Sequence, residues 1–483
     1  MKKRLVFSVL GKFLIMEAIL LLLPALCSLI YKEYDGMVSF LITAAISAAI
    51  GFVMWIQCPK SSDLYAKEGM LIIACVWVLW SLIGALPFYI SGEITSYVDC
   101  FFETVSGFTT TGASILSDVE AMSHGMLFWR SFTHWIGGMG VLVFVMAIIP
   151  LSDKNSIHLM RAEVPGPVVS KLVPRGMRNA KILYGIYIAL CILEFIFLVA
   201  GGMPVFDSII HTFSTAGTGG FSNKNASIAA YGSPYIEWVI TIFMFLFSIN
   251  FNIYYFLIIR KFAAVNKNSE WKIFTLIVVV ATTLLAFLIR GFFPTTNDTI
   301  RTAAFQTVSL ISTTGFGIAD YNLWGGFAHI IILTLMVIGA CAGSTGGGLK
   351  VSRIIILFKS ARKTLHSLVS PNSVSNIKID RKPLDDDVVR VTSMYMVIYV
   401  IVFMISTILI SINNLSVEET IASVTSCFNN IGPALGITGP VGNYSTLTDF
   451  SKIVLSFVML LGRLELFPIL ILFVPSIWRK KFM

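Results

Sequence analysis

Four stretches of this chain repeat one another, and each carries residues suited to holding a dehydrated cation. Thr104-Val105-Ser106 precedes Thr110-Thr111-Gly112, and Thr212-Phe213-Ser214 precedes Thr218-Gly219-Gly220. Thr307-Val308-Ser309 precedes Thr313-Thr314-Gly315, and Val424-Thr425-Ser426 precedes Asn430-Ile431-Gly432. A serine stands six residues before the glycine in all four copies, and in the first two an aspartate, Asp99 or Asp207, stands thirteen before it. Phased self-similarity of this kind means one structural unit used four times. Glycine reaches positive φ without steric cost, so neighbouring carbonyls can turn toward one axis. Four such loops among apolar segments fit a four-sided pore whose carbonyls replace an ion's water. Tight helix packing is the other use of Gly and Thr in membranes; four copies in one register favour the filter.

The elements that must hold these loops are membrane helices. The 483-residue chain is 56% hydrophobic and 13% charged, whereas soluble proteins carry about 25% charge. Apolar runs such as Phe13 to Ile30, Val38 to Ile56 and Met70 to Ile90 approach or exceed the roughly 18–20 residues that cross a bilayer core. The first run is not followed by a small-residue cleavage site and reads as a retained helix. Spans are expected at roughly 10–31, 37–57, 69–91, 126–150, 181–202, 235–260, 271–292, 327–358, 389–412 and 451–478.

The expected fold is therefore an all-α membrane protein: an N-terminal two-helix hairpin over 1–67, then four pore repeats at 68–165, 166–265, 266–375 and 376–483. Each repeat is a span, a re-entrant loop with the glycine motif, and a second span. Non-helical backbone at membrane depth is tolerated only where it is buried or lines a wet path, so the four loops must converge as a pseudo-fourfold pore. A stretch such as Asp99 to Phe108 would descend as a half-helix whose C-terminal dipole end favours a cation.

The net charge of +9 is distributed by side. Lys2, Lys3 and Arg4 open the chain, and Arg479, Lys480 and Lys481 close it. Basic loops between them carry Lys154, Arg161, Lys171, Arg175, Arg178 and Lys181, then Arg260, Lys261, Lys267 and Lys272, then the cluster from Lys350 to Arg390. The positive-inside rule makes these loops and both termini cytoplasmic, with the glycine motifs entering from outside. Nucleic-acid binding is disfavoured, because the charges fall at helix ends and not on one patch. Glu93, Asp99, Glu103, Asp118, Asp207, Asp298, Asp320, Glu418 and Glu419 are expected to form an acidic outer mouth that concentrates cations.

The glycine-rich run from Gly339 through Gly343, Ser344, Thr345, Gly346, Gly347 and Gly348 breaks an apolar span. It resembles a nucleotide-binding loop only superficially: Lys350 comes one place late and the run is not flanked by a strand and a helix. A mobile intramembrane loop below the filter is its functional reading, a helix kink its structural one. Arg463 interrupts the apolar run Ile453 to Leu472, with Glu465 two residues on. A charge at mid-span is by default a functional candidate facing the interior, and an ion pair with Glu465 is the alternative. Arg130 and His211 read as structural. The seven cysteines form no CxxC pair, which argues against a disulfide framework or zinc site, and no nucleophile–base set supports an enzyme.

At these residues the chain resembles the Trk/Ktr/HKT superfamily of potassium transporters. Thr109 to Gly112, Gly217 to Ser222, Ser312 to Gly317 and Asn429 to Pro433 carry the likeness. The leading hairpin, the run Phe128 to Gly140 and the segment 339–348 narrow it to the TrkH-like membrane subunits. The resemblance implies potassium-selective permeation in a bacterial cytoplasmic membrane, by a homodimer that pairs with a cytosolic nucleotide-binding regulatory ring (TrkA-like), with no organic cofactor. It implies potassium ligands at the carbonyls of Thr110, Thr111, Thr218, Gly219, Thr313, Thr314, Asn430 and Ile431, beside Gly112, Gly220, Gly315 and Gly432. It implies a gate at Arg463 and the loop 343–348. Relatives with serine at the first filter glycine pass sodium better, so four glycines favour potassium. A cation-coupled potassium symporter is the alternative; such folds usually show inverted repeats, whereas each unit here begins at a basic loop.

Overall fold

The computed structural model describes residues 3–56, 66–138, 140, 176–370, 376–380 and 382–475. Lys2, Lys154, Arg161, Lys171, Arg175, Arg381, Arg479, Lys480 and Lys481, and residues 141–150 of the expected span 126–150, lie outside them. Among the described residues the regular elements are helices apart from a two-residue antiparallel pair, β1 (Lys378–Ile379) and β2 (Lys382–Pro383).

Helices α1 (Lys3–Leu20), α2 (Leu22–Ile30) and α3 (Tyr34–Trp55) form the leading hairpin. Gly11 and Gly51 lie so close that a β-carbon on either would press on the other's carbonyl. Small residues permit this approach where lipid offers no hydrophobic drive to bring helices together. Ser47 Oγ donates to Leu14 O at 2.8 Å across the same seam, and Trp80 Nε1 ties Phe13 O to the next helix at 3.2 Å.

Four runs of helices follow. The first is α4 (Ala66–Gly84), α5 (Leu86–Ser91), α6 (Tyr97–Phe108) and α7 (His124–Gly138). The second is α8 (Gly176–Ala200), α9 (Val205–Gly217), α10 (Pro234–Phe247), α11 (Phe251–Ile258) and α12 (Phe262–Lys267). The third is α13 (Ser269–Ile289), α14 (Thr296–Ile311), α15 (Gly326–Ile338) and α16 (Val351–Val369). The fourth is α17 (Asp386–Ile410), α18 (Val417–Phe428), α19 (Asp449–Arg463) and α20 (Phe467–Leu470). A long apolar helix in each run leads to a short one, α6, α9, α14 or α18, that ends at a glycine motif. The short helices are buried: Phe102, Val105 and Phe108 of α6, like Ala303, Phe305 and Ile311 of α14, have no exposed surface. The long helices keep apolar faces outward, as Ile401, Met404, Ile405 and Ile408 do on α17, which is a lipid-facing surface.

Among the described residues six helices are long and apolar enough to cross a membrane, and two bent pairs raise that to eight. The spans expected at 235–260 and 451–478 are not single helices. The first bends by 90° between α10 and α11, and the second by 118° after α19. Span 327–358 is broken as expected, between Gly339 (φ 71°) and Lys350 (φ 75°).

Side-chain clamps tie the start of a second span to the short helix of the next run. Lys452 of α19 meets Asp99 of α6 at 2.6 Å, Glu237 of α10 meets Arg301 of α14 at 2.7 Å, and His329 of α15 meets Glu418 of α18 at 2.9 Å. The remaining junction is aromatic, with the rings of His124 and Phe206 5.0 Å apart. This qualifies the expected acidic mouth, in which four of the nine acids are paired. Asp99, Glu103, Asp298 and Glu418 are engaged by Lys452, Arg130, Arg301 and His329, because a carboxylate drawn to a partly buried helix start needs a partner.

Candidate functional site

All four short helices end in the same way. The N–H of Thr110, Thr218, Thr313 and Asn430 bonds back to the carbonyl three residues earlier. The next N–H, of Thr111, Gly219, Thr314 and Ile431, reaches the carbonyl of Ser106, Ser214, Ser309 and Ser426 at 2.8–3.0 Å. This is the Schellman pattern of helix termination, and it explains the recurring serine by position: its carbonyl takes the longer bond. The left-handed residue is usually glycine. Here it is Thr110 (φ 53°), Thr218 (φ 55°), Thr313 (φ 62°) and Asn430 (φ 58°). Each costs roughly 1–2 kcal/mol relative to right-handed backbone, and such strain, repeated four times, marks a functional constraint. Two residues on, Gly112, Gly220, Gly315 and Gly432 also have positive φ, from 77° to 100°.

The glycines close a ring. A β-carbon on Gly112 would overlap the carbonyl of Gly219; one on Gly220, that of Thr314; one on Gly315, that of Ile431; one on Gly432, that of Thr111. Each motif therefore abuts the carbonyl just ahead of the next motif's glycine, and the fourth returns to the first. Hydroxyls brace the ring from behind: Thr109 to Thr111 at 2.8 Å and Ser312 to Thr314 at 2.7 Å occupy matching places. Asn430, in the most divergent motif, uses Nδ2 on both Thr111 Oγ1 and Met459 O at 3.0 Å. All these side chains are buried.

The run Phe128 to Gly140 is the seam between the first two motifs. His134 Nδ1–H donates to Gly107 O at 2.7 Å, while Nε2 accepts from Phe221 N at 3.3 Å, which fixes its tautomer. Arg130 is 3% exposed, pairs with Glu103, donates to Ser222 O at 3.2 Å and lies 4.0 Å over the Phe221 ring. Gly137 and Gly138 lack the side chains that would strike Phe108 O and the Gly217 backbone.

The glycine-rich loop packs directly against the ring. Gly347 N donates to Thr313 Oγ1 at 2.6 Å, and β-carbons at Gly346 and Gly347 would press on Ser312 O and Asn429 O. Its other contacts are with broken backbone: Cys341 N to Ser248 O at 3.1 Å, and Phe251 N to Gly343 O at 3.0 Å. Arg463 joins three breaks at once. It donates to Thr345 O at 2.8 Å, and to Gly137 O and Gly138 O at the end of α7. The carboxylate two residues on, Glu465, is held by Arg353, whose guanidinium also lies 4.0 Å over Tyr395.

Residues 37–480 match the family profile described as TrkH, cation transport protein. The chain belongs to the TrkH family. Relatives include the Trk system potassium uptake protein TrkH of Salmonella typhimurium, 35% identical over 99% of both chains, and TrkI of Halomonas elongata, 29% identical over 98% of this chain and 97% of that one. The crystal structure of the potassium transporter TrkH from Vibrio parahaemolyticus superposes with a TM-score of 0.89, at 31% identity, covering 99% of this chain and all of that one. This TrkH-family chain is thus a membrane transport protein and not an enzyme.

Three features of the site were not foreseen from the sequence. Glu270, at the start of α13, accepts from Ala342 N at 2.7 Å and Ser352 N at 3.1 Å, and so holds both ends of the loop. Lys350 turns back onto Gly346 O. Asn250, in the α10–α11 break, caps α11 through its side chain and lies against Gly343. For Asn250 the available signal was the pair of polar residues Ser248 and Asn250 inside an apolar run.

Proposed function

We propose that this chain conducts potassium into a bacterial cell across the cytoplasmic membrane. The filter is the carbonyl set of Thr110, Thr111, Thr218, Gly219, Thr313, Thr314, Asn430 and Ile431, at the axis of four repeated units in a pseudo-fourfold pore. The observation that carries this reading is the closed contact of each glycine with the carbonyl before the next motif's glycine. Four helix C-termini, each equivalent to about half a negative charge, meet there and favour a cation. The carbonyls stand in for its hydration shell. The relatives named Trk system potassium uptake proteins support potassium as the ion.

The loop 343–348 and Arg463 form the gate in this reading. Arg463 puts a fixed positive charge on the ion path. Two like charges about 4 Å apart repel by roughly 4 kcal/mol at an effective dielectric near 20. The bonds from Gly347 to Thr313 and from Arg463 to Thr345 describe the loop drawn up beneath the filter. Both termini and the basic loops are cytoplasmic, the chain works as a homodimer, and a TrkA-like nucleotide-binding ring docks on that face to move the gate. The ring's ligand must bind the open and closed assemblies with different affinity, or nothing shifts.

The test is rubidium and sodium flux through the purified chain in liposomes, with and without a proton or sodium gradient. Downhill, rubidium-preferring flux without either gradient is expected. Flux that strictly requires a gradient would replace the pore by a coupled symporter.

A further inference from the structure

A cavity of about 560 Å³ lies away from the pore, between α12, the first turn of α13, α16 and the β1–β2 turn. Lys267, Lys272, Lys359 and Lys378 line it, with Ser269 and one acid, Asp380. Asp380 Oδ1 accepts from both the N–H and the hydroxyl of Ser269 at 2.8 Å, and its single carboxylate leaves the four lysines in excess. Among the described residues none of the four lysines is in an ion pair. Lys272 donates to Asn266 O at 2.6 Å and Lys359 to Lys378 O at 2.7 Å, which leaves each ammonium two further N–H donors. Four cations facing one space repel unless an anion joins them, and lysine ammoniums are established phosphate ligands. The volume falls in the range of small-molecule sites, roughly 300–1,000 Å³.

We propose that this cavity binds a phosphate-bearing anion, and that its occupant acts on the 339–350 loop through Glu270. The position of the site at the end of a membrane-length helix favours an anionic lipid headgroup. Its wall includes Ser269, the first residue of the membrane-length helix α13, and Trp271 beside it donates Nε1–H to Val265 O at 2.9 Å. Tryptophan at a span's end marks the headgroup level, where each lysine strengthens attraction to anionic lipid. Free phosphate compounds offer the same chemistry from the cytosol.

The coupling follows from which helices form the walls. Ser269 is followed directly by Glu270, the residue that holds Ala342 N and Ser352 N. Lys359 stands on α16, the helix that continues the loop. An anion drawing Lys272 and Lys359 together therefore pulls on both supports of the loop. This second half of the proposal rests on the reading of the loop as a gate; the binding half does not.

The test separates the two. The full chain in detergent is titrated with inorganic pyrophosphate, read by the rise in its thermal unfolding midpoint. In parallel, retained phosphatidylglycerol is counted by native mass spectrometry. The variant is Lys272→Gln with Lys359→Gln, both at the protein surface. At least one probe should bind the wild type, and bind the double variant about tenfold or more weakly. Pyrophosphate binding identifies a soluble source, phosphatidylglycerol a lipid one. Binding of neither, binding unchanged in the variant, or binding of polyglutamate alone, which would assign the surface to an acidic protein, overturns the site. Rubidium flux in vesicles should then respond to the bound probe in the wild type and not in the variant. Flux that ignores a bound probe overturns the coupling, whereas absence of any cation flux counts against the pore reading and leaves the binding result standing.

Discussion

Asn430 donates through Nδ2 to the hydroxyl of Thr111 at 3.0 Å, joining the last motif to the first across 319 residues of sequence. Where the other motifs place a threonine in left-handed backbone, the fourth places an asparagine, a residue that tolerates this region better. Its side chain supplies the bond that closes the ring. Asn430→Ala should keep the fold but loosen the junction, costing about 1 kcal/mol and lowering the rubidium-to-sodium flux ratio. An unchanged ratio in a well-folded variant would show that the Asn430 side chain does not shape the filter.

Gly112 and Gly315 have no room for a side chain, since each would strike the carbonyl of Gly219 or Ile431. Gly112→Ser or Gly315→Ser must therefore displace a carbonyl. Potassium should lose its advantage over sodium in liposome flux, by several-fold or more. The same substitution at Gly185, which has open space around its α-carbon, is the control and should change nothing.

Arg463 holds the loop through Thr345 O and the end of α7 through Gly138 O. Arg463→Ala, or a deletion within 343–348, should raise rubidium flux and reduce its dependence on the regulatory partner. Glu465 is engaged by Arg353, so Glu465→Gln should act mainly on stability, through an uncompensated buried guanidinium. Lower flux in a stably folded Arg463→Ala would return this arginine to a structural role.

Lys452 is 5% exposed and Asp99 22%. Lys452→Gln should cost about 1–2 kcal/mol, seen as a lower unfolding midpoint in detergent. Exchanging the charges, Lys452→Asp with Asp99→Lys, should recover part of it. The junction of Glu237 with Arg301 already carries that reversed polarity.

The sequence shows the four glycine motifs clearly because their constraint is local. A Schellman cap followed by a positive-φ glycine fixes the spacing from Ser106 to Gly112, and the same six-residue interval recurs three times. The break at 339–348 is legible because five glycines in the run have no reason to be helical. The bends near Asn250 and Glu465 are not, since one polar residue in an apolar run does not distinguish a bend from a buried side chain. Four of the nine acids were misjudged for a related reason. Composition counts Asp99 and Glu103 but cannot reveal that Lys452, 353 residues away, and Arg130 come to meet them. Glu270 was missed because its partners are backbone N–H groups exposed only once the loop leaves the helix.

The clamps between successive runs also determine who can sit beside whom. Glu237 finds a cation on α14, but would face an acid on α6 or α18; Lys452 finds an acid on α6, but would face Arg301 on α14. Swapped neighbours thus bring like charges together, most severely around Glu237, Arg301 and Lys452, which are largely buried and where the penalty exceeds that in water. Four helical units of similar shape emerging one after another into a membrane could in principle assemble in more than one circular order. Because the Glu237–Arg301 junction runs opposite in polarity to Lys452–Asp99 and His329–Glu418, orders that set Glu237 beside α6 or α18, or Lys452 beside α14, are disfavoured, so the chain carries part of its own seating plan for assembly.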